Sequence, residues 1–449
     1  MEVPLKDIGA CLEGVIPSCI ATCSPEGEPN IALLSVVRSV DEDHVALSRQ
    51  FFNKTGQNLA RNPYAQVQVV HPVTGEQFRL DVAYERTETV GAVFESMQTR
   101  LAAVASITGM TDRFRLVGAD VFRVLDCRRV DTGREPSAPT RDSPRGLEAF
   151  SQIAARMAAC GDLSTLLQVC LGSLAELLGC QHSLLLMLDE TGGTLYTLAS
   201  HGYERSGVGS EVRLGEGVAG VAAARRQTVR ITNLGRDRVF SAAVRSTLTS
   251  AEQADADRHI PLPSLEGAQS QLALPLTFQD RLQGVLLLES VQVGRFLAPE
   301  EQLGTAVAGH LAACVRALGD PERDEPDVSA ARPARTLPPG TPVATIRHYA
   351  EDDSVFIDNA YLIKGVPGRI LHRLLWAYVH DERTEFSNKE LRLDPYVRLP
   401  EGRDNLEARL VLLRRRLSER CPFIRLVSTG RGRFRLEVER RPRLEEVAP

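Results

Sequence analysis

Three stretches of different hydrophobic period, separated by two stretches with none, predict a multidomain protein in this chain of 449 residues. The first stretch alternates at period two and is strand-rich. The second mixes helical spacing with alternating runs, as an α/β domain does. The third ends in a basic helix followed by a basic hairpin. Residues 128–145 (RRVDTGREPSAPTRDSPR) and 319–342 (GDPERDEPDVSAARPARTLPPGTP) concentrate Pro and charge and read as linkers. The division is then 1–130, a linker at 131–145, 146–318, a linker at 319–342, and 343–445. That agrees with a prior of about 150 residues per domain.

A hydrophobic fraction of 43% and a charged fraction of 25% fit an ordinary globular protein. No run approaches the ~18 apolar residues of a membrane span, and the first residues have no signal-peptide pattern. Nine scattered cysteines, with no C-x-x-C pair, point to a reducing compartment, so a cytoplasmic protein is expected. No phosphate-binding loop, nucleophile–base set or metal-ligand spacing occurs, and a regulator is expected before an enzyme.

In the first segment, residues 18–23, 30–39, 44–48, 64–71, 78–86 and 121–125 read as strands, and 91–106 as a helix with Val93, Met97, Leu101 and Val104 on one face. Between strands lies VALSRQFFNKTGQNLARNPYAQVQV, residues 45–69. Its Ser48, Lys54, Asn58 and the Asn62-Pro63 step resemble the FMN-binding split barrel of the pyridoxamine-phosphate oxidase family. The resemblance implies a phosphate-bearing cofactor, FMN first, with deazaflavin or haem as alternatives. The implied contacts are Ser48, Arg49, Gln50, Asn53, Lys54, Thr55 and Asn58, a set with the cation, hydroxyl and amide donors that a phosphate needs. His44 and His71, at strand ends, are the haem-ligand candidates. Cys19 and Cys23 share a strand face and are expected as small core residues, not as a metal pair.

The second segment opens with helices over 147–159 and 163–178, with Asp162 placed as an N-cap. Strands follow at 183–189, 195–200, 229–231, 271–275 and 284–290, and a closing helix at 299–317. The run Leu214-Gly215-Glu216-Gly217-Val218-Ala219-Gly220, then Leu274-Pro275-Leu276, Gly284-Val285-Leu286 and the helix after Phe296 resemble a GAF domain. The resemblance implies a sensor or dimerisation module, with its ligand left open. Gly217 fits a tight entry into a helix, and Gly220 lets that helix lie close to the sheet. Cys160, Cys170 and Cys180 read as buried structural thiols. The polar stretch 235–268, with His259, reads as a lid or an elaborated loop.

The third segment begins with a hairpin over 354–363 and a helix over 368–380. Ser387-Asn388-Lys389-Glu390 is a capping-box start to a short helix. Residues 403–436 (RDNLEARLVLLRRRLSERCPFIRLVSTGRGRFRL) give a helix with Leu406, Leu410, Leu413 and Leu417 in one stripe, arginines on the other faces, and a hairpin turning at Gly430-Arg431-Gly432. From residue 345 on, 21 basic residues face 17 acidic, a balance of +4; residues 1–344 hold 32 against 41, or −9. The Leu-Arg-Arg-Arg-Leu run, the following hairpin and the long loop at 394–403 resemble the winged helix-turn-helix effector domain of OmpR-type response regulators. The resemblance implies contacts to double-stranded DNA from Arg403, Asn405, Glu407, Arg409, Arg414, Arg415 and Arg416 of an exposed recognition-helix face. Arg431 and Arg433 would act from the wing.

The combined expectation is a homodimeric one-component transcriptional regulator. Its input is a small molecule or redox change at the barrel or GAF domain, and its output is DNA binding. The alternatives are a flavin-dependent oxidoreductase with regulatory GAF and C-terminal domains, and a C-terminal domain that docks protein instead of DNA.

Overall fold

The computed structural model describes residues 3–447 except 35, 50–52, 109–115, 132–145, 190–192, 237–261, 320–337, 339 and 400–405. Most of both linkers and of the stretch 235–268 therefore lies outside the described residues.

Seven antiparallel strands build the first domain: β1 (Ser18–Cys23), β2 (Pro29–Leu34), β3 (Val37–Ser39), β4 (His44–Arg49), β5 (Tyr64–Val70), β6 (Gln77–Glu88) and β7 (Gly118–Val130), in the order β2-β1-β5-β6-β7-β4-β3. Alternation curls the sheet around a core of Ile20, Val45, Leu47, Val67, Val69, Leu80 and Phe122. A 3-10 turn at Leu5–Leu12 adds Leu5, Ile8 and Leu12 to that core. On β1 the buried positions are Ser18, Ile20 and Thr22. Cys19 and Cys23 share a face, as expected, but it is the outward one, which corrects the core assignment. The helix α1 (Asn53–Arg61) crosses from β4 to β5, and α2 (Ala92–Thr108) lies between β6 and β7.

The second domain is a six-stranded antiparallel sheet: β8 (His182–Asp189), β9 (Thr194–His201), β10 (Glu211–Arg213), β11 (Val229–Ile231), β12 (Ser270–Phe278) and β13 (Arg281–Ser290), in the order β10-β9-β8-β13-β12-β11. Helices α3 (Gly146–Ala158), α4 (Leu163–Leu178) and α6 (Ala298–Leu318) cover one face. The other face carries α5 (Gly217–Arg225). Asp162 caps α4 by accepting from the Thr165 N–H at 2.9 Å, as the sequence indicates. Gly217 has φ +60°, and a Cβ on Gly220 would stand 2.3 Å from the Arg213 carbonyl oxygen. Both glycines are therefore required by the geometry of the helix entry. Cys170 and Cys180 are buried, and burial pushes their thiols up to about 12 and about 11; Cys160 is half-buried. These thiols are poor nucleophiles.

The C-terminal domain contains β14 (Val343–Tyr349), β15 (Ser354–Ile357), β16 (Ala360–Ile363), α7 (Gly365–His380), β17 (Glu385–Ser387), α8 (Asn388–Leu393), α9 (Leu406–Arg420), β18 (Ile424–Gly430), β19 (Arg433–Val438) and β20 (Arg441–Val447). One sheet runs β16-β15-β14-β20 and the other β17-β19-β18. The parallel pairing of β14 with β20 ties the two ends of the domain together. Ser387 and Glu390 form the expected capping box, with bonds of 3.3 and 3.1 Å.

Inside this domain His348 and His372 stack with centroids 4.2 Å apart, and His372 Nδ1 lies 2.7 Å from the Tyr396 hydroxyl. Burial, then the neighbouring His348, pushes His372 down to about 4. Asp353 and Glu446 are the carboxylates that pull the other way. An imidazole whose folded pKa lies below its unfolded value binds fewer protons when folded. Stability therefore falls as pH drops from about 6.5 towards 4, by about 2 kcal/mol at pH 5. Urea midpoints at pH 7 and pH 5 should show that loss, and His372→Gln should shrink the difference.

Candidate functional site

The residues singled out on the barrel do not converge on one point. Thr55 and Asn58 turn inward: Asn30 Nδ2 donates to Thr55 Oγ1 at 3.0 Å and Asn58 Nδ2 to Thr22 Oγ1 at 3.2 Å. These two side chains link α1 to β1 and β2. Arg49 donates through Nε to the buried Asp120 carboxylate at 2.9 Å, and Thr87 donates to the same carboxylate at 2.6 Å. Lys54 stands on the surface, its ammonium 3.6 Å from Glu28 in a pair more than half exposed on both sides. Such a pair is weak and readily exchanged for another anion. Ser48 Oγ is buried with no hydrogen-bond partner among the described residues. An orphaned buried hydroxyl is unusual and fits a missing polar ligand atom. Lys54 and Ser48 are thus the groups left for an anionic cofactor. Gln50 and the side chain of Asn53 lie outside the described residues.

Both candidate haem histidines are engaged by the protein. His44 contacts Asp41 at 2.8 Å and Glu85 at 3.3 Å, and His71 Nδ1 accepts from the N–H groups of Val73 and Thr74. Burial holds the His71 pKa below its usual value.

Helix α2 joins the barrel to the GAF-like sheet. Its Met97 packs with Val36, Ala46, Ala119 and Val121 of the barrel. Nearly two turns further on, Ala103 and Val104 belong to a core with Leu184, Leu186, Val218, Ala222 and Ile231 of the second domain. Ser106 Oγ accepts from the Gly217 N–H at 2.7 Å, and Arg225 donates to Gln98 at 2.6 Å. The sheet face that carries α5 is therefore also covered by a helix of the barrel. Nothing in the spacing of 91–106 pointed to that partner, whose residues lie 80 or more positions away along the chain.

Helix α9 is covered on two sides. Leu406, Leu410, Leu413 and Leu417 are buried, as the stripe predicts, on a helix packed against α7 and β18. The arginines expected on an exposed face are not exposed. Arg409 and Arg416 are 4% and 3% accessible. Arg409 approaches Asp189 at 3.8 Å, Arg415 donates to the Leu198 carbonyl at 2.9 Å, and Arg416 donates to the Leu362 carbonyl at 3.0 Å. Arg414 lies over the Phe434 ring, 5.9 Å from its centroid. Burial lowers the pKa of Arg414, Arg415 and Arg416 from the usual arginine value. Glu407 is bonded to Asn388. In the hairpin, Arg431 is exposed and Arg433 half-buried. Arg403 and Asn405 lie outside the described residues.

Where the end of α9 meets the second domain, a cleft of 1210 Å³ opens between His182, Tyr203, Arg205 and Leu262 on one side and Arg416 and Arg420 on the other. Behind its lining, the Tyr203 hydroxyl donates to the buried Glu289 at 2.6 Å, and Gln271 donates to the same carboxylate at 2.5 Å. Among the described residues no group of His, Cys, Asp and Glu is arranged to hold a metal. No helix among them is long and apolar enough to cross a membrane.

Comparison with known families agrees with this architecture over the first two domains. Residues 6–122 match the family model described as pyridoxamine 5'-phosphate oxidase, and residues 160–316 match that of the GAF domain. No curated protein matches the chain. Among solved structures, the GAF domain of an Acinetobacter phosphoenolpyruvate-protein phosphotransferase is 20% identical, covers 40% of this chain and 99% of its own, with a TM-score of 0.32. An FMN-binding protein from Syntrophomonas wolfei is 20% identical over 29% of this chain and 90% of its own, with a TM-score of 0.24. A free methionine-R-sulfoxide reductase from Neisseria meningitidis is 18% identical over 40% of this chain and 93% of its own, with a TM-score of 0.30. The chain carries a split barrel of the pyridoxamine 5'-phosphate oxidase type, followed by a GAF domain.

Proposed function

We propose that the protein is a ligand-sensing regulator whose output domain is a winged helix that binds double-stranded DNA. The observation that carries the output is the C-terminal topology. Helices α7, α8 and α9 precede the hairpin β18–β19, which pairs with β17 and holds Arg431 exposed at its turn. A helix–turn–helix with a basic hairpin is the arrangement that places one helix in a groove and the hairpin on phosphate. The barrel is the input. Its fold is compatible with a flavin; the exposed Lys54 would meet the anionic phosphate end of FMN, and the flavin, when bound, would supply redox chemistry. A homodimer through the barrel is supported by β2, an edge strand that turns Ile31 and Leu33 outward at 73% and 75% accessibility.

Fluorescence anisotropy of a labelled DNA duplex against salt tests the output. Affinity should fall steeply with salt, and the double substitution R431A/R433A should make the log–log slope shallower by about 2. The burial of Arg409 and Arg416 favours a second reading, in which the C-terminal domain docks protein and α9 is an internal strut. Absence of duplex binding at low salt both by the full chain and by a variant lacking the Asp189 contact to Arg409 would decide for it.

A further inference from the structure

The face of α9 that carries Arg409 and Arg415 is held by the GAF domain. Positions 409, 412, 415 and 419 are spaced three and four apart and line one side of the helix. Arg409 meets Asp189, Leu412 is buried, Arg415 donates to the Leu198 carbonyl, and Glu419 accepts from the Ser206 hydroxyl at 2.6 Å. Beside the helix, Lys364 pairs with Glu211 at 2.9 Å. The leucine stripe faces α7 and β18 of its own domain, in a core that continues into α4 and β9 of the GAF domain.

We infer that the GAF domain and double-stranded DNA compete for this one face of α9. The inference rests on the DNA-binding reading above. A helix with its side chains is about 10–12 Å across. The major groove is about 12 Å wide, so a helix seated there has no room for a second protein layer. The GAF surface also offers α9 the chemistry that DNA would offer. The Asp189 carboxylate meets Arg409 as a phosphate would, the Leu198 carbonyl accepts from Arg415 as a base edge would, and Glu211 pairs with Lys364 beside the helix. Several of these pairs are partly solvated, and partly solvated pairs are individually weak, so the dock can open. In the docked form the output is off, and a signal that loosens the GAF surface frees α9.

The test uses the full chain with the GAF-side substitutions D189K/E211K, which leave every arginine of α9 and the hairpin in place. Hydrogen exchange over 406–420 reads the dock, and anisotropy with a mixed-sequence 30-base-pair duplex reads DNA binding. The expected result is at least tenfold faster exchange along α9 and at least tenfold tighter DNA binding than in the unsubstituted protein. Faster exchange with equal DNA affinity in both proteins would overturn the competition and leave the DNA reading standing. Faster exchange with no DNA binding by either protein would overturn the DNA reading itself. Unchanged exchange would show that these contacts do not hold the helix and would overturn the dock. If D189K/E211K does not fold, the neutral pair D189N/E211Q should shift both readouts in the same direction by about threefold, with the same outcomes decisive.

Discussion

Replacing Arg230 with Met should destabilise the folded chain by about 2–4 kcal/mol, because it leaves two half-buried carboxylates without their cation. Arg230 is on β11 of the GAF domain, with its side chain 10% accessible. It bonds Glu13 of the barrel's N-terminal segment and lies 2.9 Å from Glu301 at the start of α6. Glu13 in turn accepts from the Ala298 N–H at 3.2 Å. Burial pulls the Arg230 pKa down, against the pull of Glu301 and Glu300. Urea denaturation of the full chain measures the loss. Adding E13Q and E301Q to R230M should recover most of it, since the cost lies in the uncompensated charges. A loss below about 1 kcal/mol would show that the triad is not a buried junction.

The substitution Ala103→Asp should be as damaging, by several kcal/mol, and should separate the barrel from the GAF domain. Ala103 is fully buried in the core that α2 shares with β8, β11 and α5. An aspartate there has no partner, and an unpaired buried carboxyl is among the costliest groups in a protein interior. Calorimetry should show one thermal transition for the unsubstituted sensor unit resolving into two in the variant. A single transition at the original temperature would mean that the two domains do not share this core.

Local signals in the sequence were readable because their physics is local. The Asp162 cap, the Ser387–Glu390 capping box and the glycines at 217 and 220 each answer a backbone requirement within a few residues, and the structure meets each as expected. The alternation of β5 likewise fixes which side chains enter the barrel. What the sequence does not show is contact across long separations. Arginines outside a leucine stripe look solvated until Asp189 and Leu198 are brought against them, about two hundred positions away. The role of α2 was hidden in the same way, since an apolar face has no address. Strand β20 is charged, contains Pro442 and pairs in parallel, and so resembles a tail. On the barrel, polar residues in one loop suggested one site. The helical turn of α1 instead sends Thr55 and Asn58 inward and leaves Lys54 at the surface.

Coupling along the chain, from barrel through α2 to the GAF sheet and from there to α9, is the central claim. Hydrogen exchange of the full-length protein with and without saturating FMN tests it most directly. Adding FMN should slow exchange in α2 and change the rate along 406–420. FMN that binds, shown by quenching of its fluorescence, and leaves exchange in α2 and α9 unaltered would contradict it.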